Sequence, residues 1–180
     1  VQTCALPILL TAVAEVSSVR ALDTPACVAY LATLQPRVPY LASIAVLDLD
    51  GFKPINDTYG HAVGDALLVQ AAQRLSAALR NGDVIARVGG DEFVAIFPNI
   101  NNRETLRFLG DRLLSVFAHP FQIQGHLIPL GGSVGLALAP EDGSDQDSLL
   151  RAADAAMYRA KHMNRRPTLL TSISGTGRSA

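Results

Sequence analysis

Three short strings in this chain bring together residue types that could do chemistry. In Asp48-Leu49-Asp50-Gly51-Phe52-Lys53 two carboxylates stand at alternate positions and are followed at once by a glycine and a lysine. On an extended strand side chains alternate, so Asp48 and Asp50 face the same side, while Gly51 and Phe52 offer backbone N–H groups to a phosphate and Lys53 offers charge. Oxygen ligands of this kind suit Mg²⁺ or Mn²⁺. The same string also reads as an exposed strand end with solvated acids. In Gly89-Gly90-Asp91-Glu92-Phe93 two adjacent acids follow two residues without side chains. Metal-assisted phosphoryl transfer needs acids to hold a cation and bare backbone for a nucleotide to approach, although a Gly-Gly-Asp-Glu string alone is more often only a turn. In Arg80-Asn81-Gly82-Asp83 a guanidinium and a carboxylate stand three residues apart, a set that binds guanine or phosphate or simply ends a helix. His61 has no second His or Cys at ligand spacing, and His119, His126 and His162 form no constellation, so none is assigned a metal.

The elements that must position these residues follow from periodicity. Ala42–Leu49 is a short apolar, partly β-branched run ending in acid, which predicts a buried strand that delivers Asp48 and Asp50 to its mouth. Leu68, Ala72, Leu75 and Leu79 form one stripe of an amphipathic helix over His61–Arg80, stopped by Asn81-Gly82. Asp83–Val88 and Glu92–Phe97 predict a hairpin whose tip is Gly89-Gly90-Asp91, the glycines supplying positive φ. Further helices are expected over Val16–Leu34, Arg103–Phe117 and Asp145–Met163, the last with Leu149, Ala153, Ala156 and Ala160 inward. Phe121–Ile123 and Leu127–Leu138 read as a second strand pair, Thr168–Ile173 as an edge strand and Ser174–Ala180 as a flexible tail. The sum is an α+β fold, a mainly antiparallel central sheet of about five strands flanked by helices.

Bulk properties narrow the function classes. A chain of 180 residues with 49% hydrophobic residues can bury a core as one domain. Its 15 Lys and Arg nearly balance its 16 Asp and Glu, so no general field draws it to nucleic acid or anionic lipid, and phosphate binding must be local. Cys4 and Cys27 are too few and too far apart for a disulfide framework or a zinc pair, which suits a reducing cytosol. The uncharged stretch Val1–Ala14 is interrupted by Pro7 and is shorter than the roughly 20 apolar residues that span a bilayer. With no initiating Met, a fragment of a longer polypeptide is the expectation.

The motifs, in this order and spacing, resemble the GGDEF family of diguanylate cyclases. The resemblance runs from about Ala21 to Arg166 and includes Asp48-Leu49-Asp50-Gly51-Phe52-Lys53-Pro54-Ile55-Asn56-Asp57, the following Gly60-His61-Ala62-Val63-Gly64-Asp65, the Gly89–Phe93 signature, Ser133-Val134-Gly135 and Ala152–Lys161. It implies residues 1–20 as a segment of uncertain origin, 21–167 as the cyclase domain and 168–180 as edge strand and tail. It implies a fold similar to nucleotide cyclase and polymerase palm domains, and two Mg²⁺ (or Mn²⁺) per active site held by Asp48, Leu49 and Asp91. Catalysis would fall to Asp91, Glu92, Asp48 and Lys53. Substrate GTP would be bound by Asn56 and Asp65 at its guanine and by Gly51, Phe52, Gly89, Gly90, Lys161 and Arg165 along its phosphates. An amide and a carboxylate together satisfy guanine's O6 acceptor and its N1–H and N2–H₂ donors.

The resemblance further implies an inhibitory site for the product, cyclic di-GMP, at Arg80 and Asp83, with Arg112 as a secondary contact. It implies attack by the 3′-hydroxyl of one GTP on the α-phosphorus of another, homodimerisation to bring two GTP-loaded domains face to face, and a cytoplasmic location. No nucleic-acid partner is expected, and a membrane would be reached only through domains outside this chain. The family's usual opening segment has no counterpart at Ala12–Arg20, while Asn164 and Arg166 stand where the family has glycine and asparagine. The rival expectations are a catalytically silent module that senses cyclic di-GMP or GTP, and a domain fused to a phosphodiesterase. The intact acids at 48, 91 and 92 favour the enzyme.

Overall fold

The computed structural model describes Ala21–Leu22, residues 42–162 and Thr168–Leu169. The central strand β2 (Ser43–Asp50) lies between β4 (Glu92–Phe97) and β7 (Gly131–Ala137), antiparallel to both. β3 (Val84–Gly89) pairs antiparallel with the outer edge of β4. Two-residue strands, β1 (Ala21–Leu22) and β8 (Thr168–Leu169), add parallel pairing beyond β3 and β7, giving the order β1-β3-β4-β2-β7-β8. β2 leads through α1 (Phe52–Tyr59) and α2 (His61–Ala77) to β3. β4 leads through α3 (Arg103–Ser115) and a small hairpin, β5 (Phe121–Ile123) with β6 (His126–Ile128), to β7. Each connection skips one strand, so the core is a split β-α-β-β-α-β arrangement with α4 (Gln146–His162) added behind it.

The sheet is covered on both faces, and this explains β2. Ala45, Leu47 and Leu49 join the core beneath α2 and α3 with Leu67, Leu75, Leu106 and Leu113, while Ile44 and Val46 join the one beneath α4 with Leu149, Ala153 and Met157. β2 and β4 therefore bury both faces and show no hydrophobic alternation that a one-sided sheet would have. Asp48 shares its side with Ile44 and Val46, so the charge at the mouth of the strand faces α4. That helix lies unusually close to the sheet. A Cβ on Gly135 of β7 would fall 2.0 Å from the Ala153 carbonyl oxygen and 2.2 Å from the Met157 nitrogen, so only glycine permits the approach. The inward Leu149, Ala153, Ala156 and Ala160 are all buried as expected.

Several expectations are corrected. Ala21–Leu22 is strand, within the helix expected over Val16–Leu34, because its backbone finds a partner at Ile85–Ala86. The rest of that helix and the Ser174–Ala180 tail lie outside the described residues, as does all of Thr168–Ile173 but its first two residues. The Leu127–Leu138 strand is two strands in different sheets, divided near Pro129, which cannot donate to a ladder. The helix over His61–Arg80 closes at Ala77, and its buried stripe uses Ala71 where Ala72 was expected. α1 was not read from the sequence at all. Its Pro54 stands in the first helical turn, where a missing N–H costs nothing. Among the described residues no helix is long and apolar enough to cross a membrane.

Candidate active site

The mouth of β2 carries a polar row across the sheet. Register sets Asp48 opposite Glu92 of β4 and opposite Ser133 of β7. Directly opposed residues share a face with Cβ atoms about 5 Å apart, so Asp48 and Glu92 stand side by side towards α4. The β3–β4 tip is tied to the same place through the backbone, since the Leu49 N–H donates to the Asp91 carbonyl at 3.2 Å. Of the two tip glycines only Gly90 has positive φ, 47°. Gly89 sits on a bulge after Arg87, whose Nε donates to the Gly90 carbonyl at 2.8 Å and braces the turn. Bulges next to functional loops re-aim side chains.

The charge balance of this row is the site's distinctive property. Asp48 is 5% exposed, and its Oδ1 accepts a hydrogen bond from Lys161 Nζ at 2.7 Å. Burial pushes the Asp48 carboxyl above its usual range; Lys161 pulls it back, and Asp91 and Asp50 add to the rise. The Glu92 carboxyl is also raised, first by partial desolvation and then by Asp48, Asp154 and Asp91. Lys161 is held above the usual lysine range, chiefly by its bond to Asp48. Among the described residues the Lys161 ammonium thus serves a group of acids, and this row favours additional positive charge. Asp50 is fixed by the Ser133 hydroxyl, which donates to its two oxygens at 3.0 and 3.2 Å.

A divalent cation fits this donor set on physical grounds. The Lys161 ammonium already occupies the place of a counter-ion at Asp48, and every donor near it is a hard oxygen. Among the described residues no three carboxylate, imidazole or thiol side chains are grouped so that they could hold a metal ion by themselves. Side chains alone would therefore leave coordination positions for backbone oxygen, water or phosphate, as Mg²⁺ sites usually do.

The remaining expected residues surround the row. Gly51 begins α1 in the left-handed region, φ 81°, a conformation glycine adopts without strain, and Lys53 is exposed two residues on. Phe52 packs its ring against the core. Asn56 is half-buried on α1 with an amide oxygen that has no hydrogen-bond partner, and Asp65 is exposed near the start of α2. Arg80 and Asp83 are brought together, but chiefly with each other. Arg80 Nε donates to Asp83 Oδ1 at 3.1 Å, the Arg80 backbone N–H donates to Oδ2, and a guanidinium nitrogen donates to the Pro98 carbonyl. The Asp83 side chain is fully buried and that of Arg80 is half exposed, so only the arginine can meet a ligand in this conformation. Arg112 lies in the last turn of α3, and Arg165 is outside the described residues. His126 and His162 pack on Tyr59 and Tyr158.

Two contributors were missed in the sequence. Ser133 entered the sequence reading only as part of the Ser133-Val134-Gly135 string, yet it holds Asp50; a hydroxyl within an apolar strand was the available signal. Arg74 of α2 donates to the carbonyls of Val116, His119 and Pro120 and covers the Phe121 ring at 3.8 Å, anchoring the turn after α3.

Comparison with known proteins agrees with this geometry. The family model described as "Diguanylate cyclase, GGDEF domain" matches residues 30–167. The chain is 44% identical over 123 residues to the bifunctional diguanylate cyclase/cyclic di-GMP phosphodiesterase MucR of Pseudomonas aeruginosa, covering 68% of this chain and 18% of that protein. It is 41% identical over 122 residues to the cyclic di-GMP phosphodiesterase PdeR of Escherichia coli, again covering 68% and 18%. The chain thus spans under a fifth of either relative. Among solved structures it is similar to a sensory box/GGDEF family protein from Caulobacter crescentus, with TM-score 0.74 and 35% identity over 81% of this chain and 96% of that one.

Proposed function

Because the chain belongs to the GGDEF family, with a place in cyclic di-GMP metabolism, we propose that it is an active diguanylate cyclase that joins two GTP molecules into cyclic di-GMP. The observation that carries this reading is the acidic row of Asp48 and Glu92 beside Asp91, negative beyond what Lys161 neutralises.

In this reading Asp48, the Leu49 carbonyl and Asp91 hold Mg²⁺ or Mn²⁺, two per site. The cations, when bound, lower the pKa of the attacking hydroxyl and neutralise the triphosphate. The chain's own groups do the rest. Asn56 and Asp65 take the guanine edge, the amide donating to O6 and the carboxylate accepting from N1–H and N2–H₂. The backbone N–H groups of Gly51 and Phe52, with Lys53, meet phosphate oxygens, and Gly89 and Gly90 let the nucleotide approach the hairpin backbone. Lys161 and Arg165 balance triphosphate charge. Glu92, its carboxyl raised, is a stronger base than an ordinary glutamate, and in this reading it would receive the 3′-hydroxyl proton as that oxygen attacks the α-phosphorus of the other GTP. Pyrophosphate leaves, and a second attack with the roles exchanged closes the ring. One domain supplies one GTP, so two copies must face each other, and the initial rate per chain should rise with chain concentration. Cyclic di-GMP inhibits by engaging Arg80, with Asp83 holding the guanidinium in place.

The second reading is a silent module that binds GTP or cyclic di-GMP and regulates an attached phosphodiesterase, favoured by the likeness to PdeR. Incubation with GTP or ATP and Mg²⁺ separates them. The cyclase forms a cyclic dinucleotide from GTP alone, whereas the silent module forms none.

A further inference from the structure

Asn56 and Gly64 face each other where α1 meets α2. The junction is Gly60, with φ 84° and ψ 159°. Its N–H donates to the Asn56 carbonyl at 2.9 Å, and the Gly64 N–H donates to the Gly60 carbonyl at 3.2 Å. Gly64 is buried and lies inside a helix, where it needs no unusual dihedral and alanine is the better helix former. Its value is space. A Cβ at this position would lie 1.8 Å from Asn56 Oδ1, 2.9 Å from Asn56 Cγ and 3.3 Å from the Phe52 ring. The amide oxygen rests on the bare Cα of Gly64, buried and without a hydrogen-bond partner. An orphaned buried oxygen is unfavourable, and an apolar side chain would fill the same place more cheaply. Two costs, a glycine within a helix and an unsatisfied amide, therefore meet at one contact.

We propose that Gly64 is a positioning residue for guanine recognition: the absence of its side chain makes a socket that fixes the plane and sense of the Asn56 amide. The socket favours oxygen over nitrogen, because the Cα–H of Gly64 is a weak donor and an NH₂ turned against it would leave two donors unsatisfied. With the oxygen held inward, the NH₂ is turned the other way and presents a donor, complementary to guanine O6. A reversed amide would present an acceptor and repel O6. Asp65, the next residue on α2, supplies the complementary acceptor for N1–H and N2–H₂, so one turn of helix sets both halves of the base reading. This inference rests on the proposed role of Asn56 in binding guanine.

The test is calorimetric titration of the whole chain, in Mg²⁺, with 3′-deoxy-GTP, which lacks the attacking hydroxyl, and with 3′-deoxy-ATP. Gly64→Ala should weaken the guanine nucleotide on the order of tenfold, the loss of about one hydrogen bond. Asn56→Ala should weaken it equally, and the double variant no further than Asn56→Ala alone. Adenine-nucleotide binding should change little in all three. Wild-type affinity in Gly64→Ala, or full additivity in the double variant, would overturn the socket, since additivity means general damage to the α1–α2 packing. If Gly64→Ala does not fold, the double variant, which relieves the overlap, should fold, and its failure to do so also overturns the proposal. Wild-type binding by Asn56→Ala would instead show that the guanine assignment itself is wrong.

Discussion

Lys161 Nζ stands 2.7 Å from Asp48 Oδ1, joining the end of α4 to the mouth of the central strand across 113 positions of sequence. The contact exists because Gly135 lets α4 settle onto β7 and because Asp48 faces that helix. Lys161 is thereby the counter-ion of a buried carboxylate and, in the proposed mechanism, a ligand of the triphosphate.

Replacing Lys161 tests the first of these roles. Lys161→Met keeps the apolar stem but leaves Asp48 buried without its partner. The lysine side chain is 41% exposed, so solvent screening limits the loss to about 1 kcal/mol of stability. Thermal melts should show a lower midpoint without divalent cation and a larger stabilisation by Mn²⁺ than in the wild type. Equal stabilisation by Mn²⁺ in the two proteins would mean that the ammonium and the cation do not share a place.

Asp48 gives a prediction with a definite sign. Its folded-state carboxyl is raised, chiefly by burial, so the folded protein takes up this proton at higher pH than the unfolded chain does. Ionising Asp48 then favours unfolding, and its contribution is stabilising at low pH and lost as pH rises through the folded-state value. Asp48→Asn, which cannot ionise, should leave the melting temperature of the metal-free protein at pH 7 unchanged or higher while abolishing Mn²⁺ binding. A marked fall in melting temperature would show that the ion pair with Lys161 outweighs burial. In the wild type, Mn²⁺ affinity should fall as pH drops, beginning above the range of an ordinary exposed carboxylate, because protons compete at Asp48 and Glu92.

At Arg80 the structure separates two effects of one substitution. Arg80→Ala removes the side-chain bonds to Asp83 and Pro98, so stability should fall by about 1 kcal/mol. If Arg80 is also the inhibitory contact, progress curves will stay linear to higher product with the initial rate little altered. Unchanged calorimetric affinity for cyclic di-GMP would return the segment to the role of a helix stop.

The sequence was most legible where local pattern and motif coincide. The β2 strand, the β3–β4 hairpin and the inward face of α4 were each readable, because an apolar run ending in acid, a Gly-Gly tip and a stripe of leucine and alanine have few alternatives. α1 was missed because Gly51 and Gly60 bracket, and Pro54 interrupts, an eight-residue helix whose only buried residue is Ile55. The split of Leu127–Leu138 was missed because only tertiary pairing tells which partner each half takes. At the site, the acids were visible from spacing, but the Lys161–Asp48 and Ser133–Asp50 contacts depend on how α4 and β7 meet β2, which no local window contains.

The central claim, that the row of acids at β2 and β4 performs GTP condensation, is tested most directly by incubating the wild-type chain and Glu92→Ala with GTP and Mg²⁺ at high chain concentration and detecting cyclic di-GMP chromatographically. Glu92 is exposed, so its removal should change stability by no more than about 0.5 kcal/mol. The account predicts cyclic di-GMP and pyrophosphate from the wild type and none from the folded Glu92→Ala protein. Cyclic di-GMP at the wild-type rate from Glu92→Ala, or none from a wild-type chain that still binds GTP, would contradict it.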